Sequence, residues 1–331
     1  MLSKRTKIWI NYTLGPLLFV VLAYSIYREI HKQPNLFESW DHIIAALTGP
    51  SAWKLYLVIL LMLLNWGLEA RKWQIIVERL QPLSFFQSFK SILSGQAFAL
   101  NTINRLGEYV GRVVYMAEGN RLRAIPLTIV SSLSQMIATF VVGTVALWVL
   151  RYAILLPQER VVGLSALMVD GLLYALTIGN IILVLLYYRL SWIIRVVDKL
   201  TWMERIRFFV QQLEFFEAKE LTRILVLSLI RYLVFLLQYL LLLELFEVQA
   251  NWFDLLCTVS VMFLVLAIVP TIALAELGLR GKVSLELLGL LSNNSVGIVT
   301  TAVGIWVINL LLPAIAGTLF ILGFRLFKNK P

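Results

Sequence analysis

Long apolar runs recur through this chain, and they restrict its fold more than any other feature. Residues 125–150, 164–188, 225–245 and 296–324 each hold the ~20 apolar residues a helix needs to cross a bilayer. Residues 9–27 and 53–73 bring the expected number of full spans to six. A soluble fold could not bury so much. Hydrophobic residues make up 60% and charged ones 15% of the 331 residues, with mean hydropathy +0.84; soluble domains carry about 45–50% and ~25%. In lipid each backbone polar group must be paired within the chain, so the expected class is all-α. Residues 1–331 therefore read as a single polytopic membrane domain with no segment long enough for a soluble catalytic domain.

The charges orient it. Lys4, Arg5 and Lys7 precede the first run, and Arg325, Lys328 and Lys330 follow the last. With most Lys and Arg on that same side, the positive-inside rule puts both termini in the cytoplasm. The first run lacks a small-residue cleavage site and reads as an uncleaved span. A net charge of +10 then reflects cytoplasmic loops meeting anionic lipid rather than a nucleic-acid partner. Cys257 is the single cysteine and the only histidines are His31 and His42, so neither a disulfide nor a metal site is expected. No cofactor is expected, and no nucleotide-binding loop is present.

Two stretches break the pattern. Residues 101–112 read Asn-Thr-Ile-Asn-Arg-Leu-Gly-Glu-Tyr-Val-Gly-Arg, and residues 270–280 read Pro-Thr-Ile-Ala-Leu-Ala-Glu-Leu-Gly-Leu-Arg. Each carries Thr-Ile and then a glutamate four residues before an arginine: Glu108 with Arg112, and Glu276 with Arg280. At that spacing a helix puts both on one face, where they neutralise each other. Charges inside membrane segments are costly and tend to serve function. Asn101, Arg105, Glu108, Arg112, Glu276 and Arg280 are therefore candidate substrate-binding residues. Arg231 and Gln238, two turns apart on one face of the run at 225–245, join them. Arg231 could otherwise snorkel from the inner end, or meet Glu108, Glu276 or an anionic headgroup.

Residues 85–100 are too short and polar to cross, so they predict a re-entrant helix returning through 108–117. Pro270 breaks the run at 253–274, Gly278 and Gly281 follow, and residues 283–291 are too short to span; this predicts a second broken unit. Gly107, Pro270 and Gly278 are the expected hinges. Three full spans lie between the two units, which turns the second copy upside down. Repeats at about 53–150 and 221–324 would then form the inverted pair that marks a transporter site near the midplane. Residues 198–217 predict an amphipathic cytoplasmic helix. Asn65 and Glu69 read as part of an interfacial anchor in which Trp66 and Trp73 lie at headgroup depth and Arg71 and Lys72 meet lipid phosphate, with a direct part in a transport cavity as the alternative.

The stretch with Arg105, Gly107, Glu108 and Arg112 resembles the lysylphosphatidylglycerol synthase transmembrane family, which includes the flippase region of the multiple peptide resistance factor. So do Glu69-Ala-Arg-Lys-Trp73, Arg231 with Gln238-Tyr239, and Pro270 with Glu276-Leu-Gly278. Thr271-Ile-Ala-Leu-Ala stands where that family is usually glycine-rich, and the soluble aminoacyl-transferase domain is missing. The resemblance implies a flippase-like transporter in a bacterial cytoplasmic (inner) membrane. Its substrate would be a phospholipid or a prenyl-phosphate-linked lipid; a homodimer or a partner lipid-modifying enzyme is compatible with it. The alternatives are an integral-membrane transferase on a lipid-linked substrate, with Glu38 and Asp41 as its outer carboxylates, or an accessory subunit.

Overall fold

The computed structural model describes residues 49–99, 106–155, 166–189, 216–269 and 273–322, together with Tyr24, Ile44, Ala45, Thr102 and Leu213. Among these the chain is helical, with no strand. Five helical stretches are long and apolar enough to cross a membrane: Ala52–Val77, Arg121–Tyr152, Met168–Tyr188, Ala218–Leu245 and Ser295–Ile321. The sixth expected span, residues 9–27, and the amphipathic helix at 198–217 lie outside the described residues, apart from Tyr24, Leu213, Phe216 and Glu217.

In order, the helices are α1 (Ala52–Val77), α2 (Phe85–Ala99), α3 (Gly107–Val113), α4 (Arg121–Val149), α5 (Ala166–Tyr188), α6 (Ala218–Leu245), α7 (Trp252–Ile268), α8 (Ala273–Leu288), α9 (Ser295–Trp306) and α10 (Leu312–Leu322). A π-helical segment, Leu150–Leu155, extends α4, and another, Val307–Leu311, joins α9 to α10.

The pairing of α1 with α6 sets the frame. Polar contacts run antiparallel along it: Lys54 with Glu244 at 3.0 Å, Gln238 Nε2 with the Val58 carbonyl at 2.8 Å, and Arg231 Nε with Asn65 Oδ1 at 2.9 Å. Lys72 Nζ then meets Ser228 Oγ at 3.1 Å, and Arg79 meets Glu220 at 2.9 Å. Gln238 is thus buried between two helices and ties them together. The outermost ion pairs mark the two ends of the frame. At 1.5 Å per residue, position 69 lies ~22 Å from the Lys54 end and ~15 Å from the Arg79 end. Position 69 is thus in the interior of the frame, well away from either end.

α2 and α3 form a tight antiparallel hairpin, and glycine makes it possible. A Cβ on Gly111 would lie 2.5 Å from Gly95 Cα, and one on Gly107 2.4 Å from the Phe98 carbonyl oxygen. Thr102 Oγ1 accepts from the Gly107 amide at 2.6 Å and closes the tip. Gly107 therefore has a close-packing role. On its other side α2 meets α10, where a Cβ on Gly317 would lie 1.9 Å from the Leu93 carbonyl oxygen.

The second broken unit differs in detail. The chain leaves helix after Ile268, as the proline predicts, but resumes in a 16-residue helix, α8, rather than the short piece at 283–291. Gly278 lies inside α8, exposed, with nothing within 4 Å of an added Cβ. α5 is the most peripheral long helix and turns Leu172, Ile178, Ile181, Ile182 and Leu185 outward. The stretch Ser295–Ile321 is the most buried.

Candidate functional site

Helical spacing places Asn65, Glu69 and Lys72 on one face of α1, and Arg71 on another. Arg71 is exposed and bonds Gln74. The other three turn into the protein: Asn65 is 4%, Glu69 1% and Lys72 0% exposed. Because α1 continues to Val77, Trp73 is also wholly buried. This corrects the interfacial anchor expected from the sequence, since Glu69, Lys72 and Trp73 meet protein instead of headgroups.

Glu69 is the hub. A carboxylate offers about four lone-pair positions, and each has a donor here. Oε1 accepts from Arg112 Nη2 at 2.7 Å and from Ser131 Oγ at 2.9 Å. Oε2 accepts from Lys72 Nζ at 2.8 Å and from Arg231 Nη1. These donors come from α1, α3, α4 and α6, so one side chain joins the α2–α3 hairpin to three long helices. Arg231 is thus held by Glu69, a carboxylate that the sequence had not named as its partner.

The cations are equally tied. Lys72 also donates to the Ser131 carbonyl at 3.3 Å and to Ser228 Oγ at 3.1 Å, which satisfies three N–H groups. Arg112 pairs with Glu108 one turn back, as its spacing predicted, and donates to Ser131 Oγ at 3.1 Å. Its guanidinium lies over the Trp73 ring, 5.7 Å from the centroid. Arg231 reaches Gln135 Oε1 at 3.1 Å in addition to Asn65. Among the described residues, three cations thus share two carboxylates, Glu69 and Glu108. The interior setting strengthens each attraction.

Arg231 is also the wall between this cluster and a cavity of about 300 Å³. Arg280 of α8 lines the same cavity, so two of the predicted cations from distant parts of the chain converge on it. Trp66, Tyr232, Phe235 and Phe263 supply aromatic wall, with Asn65, Gln135 and Asn309 as polar groups. No carboxylate lines it among the described residues. Arg112 and Glu108 lie behind Arg231 in the charge cluster. Asn101, Arg105 and Pro270 lie outside the described residues, as does the side chain of Glu276. No group of His, Cys, Asp or Glu suited to a metal occurs among the described residues.

Sequence reasoning missed Lys72 and Asn309 and undervalued Glu69. The repeat of polar residues at 65, 69 and 72 in an apolar helix was the available signal for the first face. Asn309 had none beyond being an amide in an apolar run. The fold and cluster define a polytopic helical protein of the membrane-embedded class, with a buried ion network beside an arginine-lined cavity. The chain matches no protein-family model and no curated protein.

Proposed function

We propose that this protein is a flippase-like lipid transporter, and that its substrate is a phospholipid or a prenyl-phosphate-linked lipid with an anionic headgroup. The observation that carries this reading is the cavity bearing Arg231 and Arg280 on walls of aromatic, aliphatic and amide side chains among apolar helices. An oxyanion would meet charge-assisted donors there, and acyl or prenyl chains would leave among apolar side chains. Glu69 would hold Arg231 in place in the empty state, so the site stays organised without a ligand. The likeness to the lysylphosphatidylglycerol synthase transmembrane family supports the same reading. Two interrupted units in opposite orientation, with Pro270 and Gly278 as the points of bending, would fit the same reading. The membrane would be the bacterial cytoplasmic one, with both termini inside.

The test is translocation in proteoliposomes. A fluorescent anionic phospholipid placed in one leaflet should exchange faster with the protein present, and Arg280→Gln should slow that exchange at least tenfold. Equal exchange by the wild type, Arg280→Gln and protein-free vesicles would overturn the proposal.

A further inference from the structure

The cavity next to Arg231 contains one polar atom whose hydrogen-bonding capacity points to its occupant. Two amide oxygens on its walls, Asn65 Oδ1 and Gln135 Oε1, are already engaged by Arg231 at 2.9 and 3.1 Å. Asn309 is different. It is 3% exposed, lines the cavity, and its Nδ2 has no hydrogen-bond partner. Leaving a buried amide donor unpaired costs about 1–3 kcal/mol, so a fold that keeps one beside a cavity gains only if something else accepts from it.

The backbone around Asn309 is also unusual. Residues Val307–Leu311 form a π-helical turn, a widened turn that recurs at functional sites. The Leu310 carbonyl in this turn accepts from Gln96 Nε2 of α2 at 3.5 Å, so the re-entrant hairpin braces the segment that presents Asn309. Three elements therefore bring N–H donors to one cavity: Arg231 from α6, Arg280 from α8 and Asn309 from the π turn.

We infer that Asn309 is a ligand-binding residue that donates through Nδ2 to a phosphate oxygen, completing a three-point donor set with Arg231 and Arg280. The inference rests on the anion-transport reading above and narrows its ligand. A phosphate, with several acceptor oxygens in a tetrahedron, can meet donors from three directions without their lying in one plane, and its charge favours the two guanidinium groups. The shared chemistry is that of a lipid phosphate headgroup or a free phosphate.

Calorimetric titration of the full-length protein in neutral detergent separates these cases, with dihexanoyl phosphatidic acid, inorganic phosphate and dihexanoylglycerol as probes. The wild type should bind at least one phosphate probe and not dihexanoylglycerol. Preference for phosphatidic acid identifies a lipid headgroup, and equal binding of inorganic phosphate identifies a free anion; either supports the donor set. Asn309→Leu should weaken that binding about tenfold or more, the worth of a charge-assisted hydrogen bond. Asn309→Asp should weaken it further by placing a carboxylate against the ligand. The melting temperature of Asn309→Leu should hold or rise, because the variant removes an unpaired donor. Wild-type affinity in both variants overturns the role of Asn309 and leaves the transport reading standing. Failure of the wild type to bind either phosphate probe overturns both. A melting temperature that falls along with affinity in Asn309→Leu assigns the residue to folding and overturns the inference.

Discussion

Arg231 and Glu69, 162 positions apart, form an ion pair across the contact between α1 and α6. Lys72 Nζ meets the same carboxylate oxygen at 2.8 Å. Two cations on one oxygen, with Arg112 on the other, make Glu69 the anion on which the cluster depends. Removing a partner from a buried ionic group leaves uncompensated charge, which costs more than the intact pair contributes.

Glu69→Gln should therefore be the most damaging neutral substitution in the cluster. It strands Lys72 and Arg231 against a neutral amide and leaves Arg112 with Glu108 alone. The expected loss is about 3–5 kcal/mol, read as a large fall in melting temperature in detergent. Glu108→Gln should cost clearly less, because Glu108 is more exposed and Arg112 retains Glu69. Equal melting temperatures for the two variants would refute the hub.

Lys72 offers the opposite expectation. Lys72→Met removes the third cation and leaves, among the described residues, two arginines facing two carboxylates. Its methyl thioether fills most of the same space and leaves Glu69 Oε2, the Ser131 carbonyl and the Ser228 hydroxyl each short of one donor. Ser228 still has Ser134 Oγ at 2.8 Å. The cost should be about 1–2 kcal/mol, smaller than that of Glu69→Gln in the same thermal assay. A greater loss in Lys72→Met would show that the lysine, rather than the carboxylate, organises the cluster.

The hairpin of α2 and α3 should fail on a single methyl group. Gly111→Ala puts a Cβ 2.5 Å from Gly95 Cα, with backbone on both sides and no flexible side chain to yield. A loss of about 1–3 kcal/mol is expected, the usual cost of overpacking. Gly119→Ala, with nothing within 4 Å, should melt as the wild type does. Identical melting curves for the two variants would rule out the close contact.

Gly278 tests bending separately from packing. Gly278→Ala adds a side chain into open space within α8 and should stabilise that helix by about 0.5–1 kcal/mol. If α8 bends there during transport, lipid exchange in proteoliposomes should fall while the melting temperature rises. Unchanged exchange would remove Gly278 from the moving parts.

Much of this arrangement was legible along the chain, and some was not. Arg112 with Glu108 needed only four-residue spacing, and Arg231 stood out as a charge in an apolar run. The segment at 85–100 announced a short helix by its length and polarity, and α2 spans Phe85–Ala99. Glu69 was harder to place. Trp66, Arg71, Lys72 and Trp73 around it have the composition of an interfacial anchor, and only the continuation of α1 to Val77 carries Trp66, Lys72 and Trp73 into the interior. Where a helix ends depends on what packs against its last turns, and that is set by neighbours distant in sequence. The same holds for Asn309, whose setting is made by a π turn and by Gln96 from α2.

By itself, the order of residues determined that the protein is helical and built for lipid, because the apolar runs leave the backbone no other way to pair its polar groups. It also determined that a few charges must lie inside, since they occur within those runs. Only the tertiary structure decided which charges meet. Ion pairing acts over a few ångströms, and Glu69, Arg112 and Arg231 come within that range only when α1, α3 and α6 pack together.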